Sequence, residues 1–97
     1  MTWRLVVRPQ ARTELLDVRR WDEEQRPGLG SEFGQEADRA LSLLVRTPEA
    51  FQRVHREIRR IRLQRFPYAI YLSQYDEVVV LAVVHGRRHP RRWQSRR

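Results

Sequence analysis

The residues of this chain best suited to chemistry are its arginines and two of its histidines. Arg60 and Arg62 stand two apart where Ile61 and Leu63 alternate with Arg60, Arg62 and Gln64, so a strand there puts both guanidiniums on one face. Arg65 follows, and Arg87, Arg88, Arg91 and Arg92 crowd the end of the chain around His89 and Trp93. Arginine keeps its proton at any physiological pH, so it binds phosphate or carries transition-state charge but is a very poor general base. An imidazole has the near-neutral pKa that a base requires, which singles out His85, at the end of an apolar run, and His89, between Arg88 and Pro90. The same residues also have plain readings: a solvated strand face for the arginines, a hydrogen-bonded strand end for His85. His55 receives no role.

Charge points to the class of partner. The 97 residues hold twenty arginines, no lysine and twelve acidic residues, a formal net charge of +8 that invites an anionic partner. Residues 9–50 carry six arginines against nine acids, and residues 51–97 carry twelve against three, so the second half is the basic one. With no cysteine there is no disulfide, thiolate zinc site or cysteine nucleophile, and three scattered histidines do not make a metal site; no metal and no cofactor are expected. A reducing compartment fits. The longest apolar run, Val78 to Val84, is far short of the roughly 18 residues of a membrane span, and no leader opens the chain. The expectation is a soluble cytoplasmic protein without a membrane partner. Its length and 40% hydrophobic content are those of one domain over residues 1–97, ending in an arginine-rich tail from about residue 86.

The elements that must position these residues follow from periodicity. Trp3 to Arg8 reads as a strand stopped by Pro9, which also opens a helix. Ala11, Leu15, Val18 and Trp21 or Asp22 mark one helical face, widened by Leu16, to about Gln25. Arg26 to Gly30 is a tight connection rich in breakers. Phe33, Ala37, Ala40, Leu41 and Leu44 mark a second helix that ends at Thr47-Pro48, completing a helical hairpin. The period then changes: Ile61 and Leu63, Phe66 to Ser73, and Val78 to His85 predict three antiparallel strands, with Tyr75-Asp76-Glu77 turning between the last two. Phe66, Tyr68, Ile70 and Tyr71 are better placed to fill a core than to stack bases. The predicted fold is α+β, β-α-α-β-β-β, with the hairpin packed on one face of a small sheet.

Three motifs in this order, Glu23 to Gly30 with Phe33, Arg65 to Tyr71, and His85 to Pro90 with Trp93, resemble the RelE/ParE superfamily of toxins from bacterial type II toxin-antitoxin pairs. The likeness covers nearly the whole chain. It implies a growth-arresting toxin, neutralised by a cognate acidic antitoxin, and two mechanisms divide the superfamily: RelE-like members cleave messenger RNA in the ribosomal A site, whereas ParE-like members inhibit DNA gyrase. The alignment places Arg60 and Arg62 on basic lysines of RelE, Ala69 on a phosphate-binding arginine, Arg88 on a second such arginine and Gln94 on a C-terminal tyrosine. Only Arg88 matches in kind, so the resemblance implies the ParE-like branch, with gyrase as target and Arg60, Arg62, Arg65, Arg87, Arg88, Arg91, Arg92 and Trp93 as the target- or phosphate-binding surface. The alternative is a ribosome-dependent endonuclease acting on mRNA with His85 or His89, Arg62 and Arg88.

Overall fold

Pro9 opens the first helix of the computed structural model, α1 (Pro9–Gln25), as its preset φ and missing N–H favour. The structure describes residues 2–86; Met1 and residues 87–97, with the expected tail, lie outside the described residues. Ahead of α1 runs β1 (Leu5–Val7), and after it come α2 (Leu29–Arg46), a 3-10 turn at Pro48–Ala50, and β2 (Gln52–His55). The chain then meanders through β3 (Ile58–Arg62), β4 (Tyr68–Gln74) and β5 (Val78–His85). The five strands form one mixed sheet in the order β1-β5-β4-β3-β2, in which only the β1–β5 pair is parallel.

The α+β order and the helical hairpin are as the periodicity predicts, with one strand more than expected. β2 is a polar edge strand, Gln-Arg-Val-His, with no apolar alternation to announce it. In α1, Asp22 rather than Trp21 turns inward, and Leu16 is 55% exposed, so it does not widen the buried stripe. Burial raises the Asp22 carboxyl above its ordinary pKa, and its Oδ2 finds no hydrogen-bond partner among the described residues.

The tight connection is shorter than expected, because Leu29 and Gly30 already belong to α2. Gly28 supplies the left-handed φ of +89° at the helix start. Gly30 has a different reason: a Cβ there would lie 2.5 Å from the Arg19 carbonyl oxygen, so its absence lets the two helices approach. Glu23 completes the join by accepting the N–H of Gly28 and of Gly30, each at 3.0 Å, where a carboxylate meets the positive end of α2.

Ala11, Val18, Phe33, Ala37, Ala40 and Leu44 of the hairpin bury against Ile61, Leu63, Ile70, Leu72, Val78, Val80 and Val83 of the sheet. Fully buried Leu44, Ile70 and Leu72 contribute about 1.5–3 kcal/mol each relative to exposure. The other face of the sheet carries a second cluster, Ile58, Ala69, Tyr71, Leu81, Ala82 and Val84. The β4–β5 register pairs Tyr71 with Ala82 and Leu72 with Val80, leaving Leu81 as an extra residue. That bulge is why Val80 and Val83, three apart, both face the helices, and burial of both faces of β5 is why the run from Val78 shows no alternation.

Candidate functional site

The meander sets Arg60 and Arg62 on one face, as their spacing requires, and the fold makes it the face away from the helices. Register builds two rows across three strands: Arg60, Tyr71 and Ala82, then Arg62, Ala69 and Val84. Tyr71, Ala69, Ala82 and Val84 are buried, so the two guanidiniums stand on an apolar floor. Arg60 donates to Gln52 Oε1 at 3.2 Å, and Arg62 is exposed without an ion pair among the described residues. Cations beside a low-polarity surface attract an anion more strongly than the same cations surrounded by water.

At the end of the sheet the β3–β4 turn and the end of β5 close a pocket of ≈ 120 Å³, lined by Arg60, Arg62, Pro67, Tyr68, Tyr71 and His85 among others. Gly86 N–H donates to the Pro67 carbonyl at 2.7 Å, tying the end of β5 to the turn. His85 pairs with Tyr68 in register, and so emerges on the helix side of the sheet, its ring edge-on to Tyr68 at 5.3 Å. Tyr68 in turn meets Phe33 of α2 edge-on at 5.9 Å. The imidazole and the arginine pair therefore reach the same pocket from opposite faces.

Arg65 has a different setting. Its Nη2 lies 2.6 Å from Glu32 Oε1, its N–H donates to Glu36 Oε2 at 3.2 Å, and Glu32 also holds Arg26 at 2.8 Å. The Glu32 hydrogen bond raises the Arg65 pKa, and Arg65, ahead of Arg26, lowers that of Glu32. Arg65 is thus a clasp between the β3–β4 turn and α2, and the structure brings it together with Glu32 rather than with Arg62. Arg87, Arg88, His89, Arg91, Arg92, Trp93 and Gln94 lie outside the described residues.

One supporting residue had no sequence signal. β1 ends at Val7, which leaves the outer edge of β5 without a strand beyond Val80 among the described residues, and Glu14 of α1 accepts the Val83 N–H there at 3.0 Å. It anchors the part of β5 that leads to His85. A carboxylate 69 residues away from its amide leaves no mark in local periodicity.

What this arrangement can do is bind an oxyanion: two guanidiniums that stay charged, an apolar floor and aromatic walls. Among the described residues no group of three or more His, Cys, Asp or Glu could hold a metal ion, and no helix is long and apolar enough to cross a membrane. A search of the curated proteins found no match. Residues 5–90, by contrast, match the family described as the ParE toxin of type II toxin-antitoxin system, parDE. With that match spanning both helices and all five strands, the chain belongs to the ParE toxin family of the RelE/ParE superfamily, whose members are toxins with a cognate antitoxin.

Proposed function

We propose that this toxin arrests bacterial growth by inhibiting DNA gyrase, and that its acidic antitoxin neutralises it in the cytoplasm. Arg60 and Arg62 form the described part of the target-binding surface, and Arg87, Arg88, Arg91, Arg92 and Trp93 extend it. The observation that carries this reading is the row Arg62, Ala69, Val84. Cleavage at a ribose 2′-hydroxyl needs a base for that proton, clustered cations for the phosphate and an acid for the leaving oxygen. Here the row carries a single cation, followed by aliphatic residues on the next two strands, and neither Arg60 nor Arg62 can take a proton.

A second reading, a ribosome-dependent mRNA endonuclease, draws support from His85 lining the same pocket as Arg60 and Arg62. His89 and Arg88 would join it. Parallel assays of purified protein separate the two. The expected result is inhibited gyrase supercoiling, with mRNA on programmed ribosomes left intact. Codon-phased cleavage that falls about a hundredfold or more in His85→Ala or His89→Ala would make the protein an RNase and remove the gyrase assignment.

A further inference from the structure

The hairpin of β2 and β3 is built against two local preferences. Its two-residue loop, Arg56 and Glu57, joins His55 to Ile58, and Arg56 holds a left-handed φ of +49°, where glycine or asparagine is the favoured residue. Arg53 stands directly across from Arg59, and like charges so placed destabilise a strand pair. Residues 52–62 hold five arginines against one glutamate. Arg59 directs its guanidinium to the Phe51 carbonyl at 2.7 Å and to Gln74 Oε1 at 2.9 Å. Arg53 and Arg56 are exposed and have no ion pair among the described residues. Of the described acids at this end of the sheet, Glu77 pairs with Arg4 at 3.7 Å, Glu49 accepts the Gln74 amide at 3.3 Å and Glu57 is engaged as well, which leaves exposed Asp76 on the next turn. A strained loop residue and an unrelieved like-charge pair do nothing for the fold, and such outliers point to function.

Charge without apolar surface specifies the partner. The exposed residues of β2 and its loop, Gln52, Arg53, His55 and Arg56, include no aliphatic side chain and no Phe, Tyr or Trp. A protein interface needs an apolar or aromatic centre, and a single-stranded nucleic acid needs aromatic faces on which its bases stack. A duplex needs neither, because cations that release its counterions supply the affinity. We infer that Arg53 and Arg56 grip the phosphate backbone of duplex DNA. The hairpin is then a second contact surface, at the opposite end of β3 from the anion pocket, with about 13 Å of strand between Ile58 and Arg62. The DNA contact stands on these residues alone; that it holds the toxin on the DNA passing through gyrase rests on the function proposed above.

Full-chain toxin is titrated onto a short fluorescent DNA duplex at salt concentrations from about 0.05 to 0.2 M. Arg53→Gln combined with Arg56→Gly removes two phosphate contacts of about 0.9 each, so the slope of log K against log salt becomes shallower by about 1.8 and affinity falls at least about tenfold. Glycine relieves the left-handed φ, so the Tm of Arg56→Gly should equal or exceed that of wild type, which separates lost binding from lost folding. Arg56→Lys keeps the charge and should keep the slope. Arg12→Gln with Arg20→Gln, which removes the same charge from exposed positions on α1, should leave the slope unchanged. An unchanged slope in the hairpin variant, an equal loss in the α1 variant, or tighter binding of duplex RNA than of duplex DNA overturns the inference. In a supercoiling assay the hairpin variant should need about tenfold more protein for half-inhibition of gyrase, in step with its lost DNA affinity. Full inhibition by a variant that no longer binds DNA overturns the placement at gyrase. Hairpin-dependent DNA binding by a toxin that leaves gyrase active keeps the DNA contact and removes the proposed function.

Discussion

Replacing Gly30 with alanine should destabilise this protein, against the usual direction of that change. Inside a helix, Gly→Ala ordinarily adds about 0.5–1 kcal/mol of stability by removing backbone freedom. At position 30 the new methyl carbon would lie 2.5 Å from the Arg19 carbonyl oxygen and 2.9 Å from Glu23 Oε1. The first neighbour is backbone of the facing helix and cannot rotate aside. The second is the carboxylate that accepts the Gly28 and Gly30 amides, so relieving the clash also loosens the cap of α2. Overpacking costs about 1–3 kcal/mol, and a 2.5 Å approach to backbone that cannot move falls in the upper part of that range, at about 2–3. After a propensity gain of about 1 is subtracted, a net loss of about 1–2 kcal/mol remains. For a chain of this size that lowers Tm by roughly 4–15 °C.

Two other glycines calibrate the measurement. A methyl at Gly34 would meet only the end of the Arg19 side chain, at 3.4 Å, so Gly34→Ala should be neutral or stabilising by up to about 1 kcal/mol. Gly28→Ala meets no atom but must hold φ near +89°, a strain of about 1–2 kcal/mol. Thermal and urea unfolding of the three variants, followed by circular dichroism, gives the ranking. Stability of Gly30→Ala equal to or above wild type would refute the close-approach argument.

Three further outcomes are expected. Glu32 is held below its ordinary pKa of 4.5 by Arg65 and Arg26, so its clasp contributes stability above the unfolded carboxyl's pKa that is lost as pH falls through the lower folded value. Glu32→Gln should therefore weaken the acid dependence of Tm in that window, and an unchanged profile would show that the clasp contributes nothing. Glu14→Ala leaves the Val83 N–H without its acceptor at a cost of about 1–3 kcal/mol, with faster exchange at that amide, whereas Glu14→Gln keeps an acceptor oxygen and should restore protection. Deleting residues 87–97 should abolish growth arrest while unfolding stays cooperative, because the described core ends at Val84; loss of cooperativity would make the tail structural.

Helices α1 and α2 could be read directly from the chain because each repeats its apolar residues with the helical period, and strands β4 and β5 because each is a short β-branched or aromatic run bounded by turn residues. The breakers at Pro9, Pro27, Gly28 and Pro48 marked the joints for the same local reason. The three motifs that carry the family resemblance were equally visible. Periodicity could not choose between Trp21 and Asp22, which are adjacent on the helix; the tertiary packing of α1 buries Asp22 and leaves Trp21 exposed. Nor could it reveal β2, whose polar residues form a strand only because β3 supplies the partner edge. Pairing across distance decided the site. Register set Arg62 beside Ala69 and put Tyr68 and Tyr71 on opposite faces, and the fold joined Arg65 to Glu32 and Glu14 to Val83. Residue type and local spacing determined which groups could carry charge and which element would hold them. Only the folded sheet decided which of those charges remain uncompensated, because a guanidinium's partner is chosen by proximity in space.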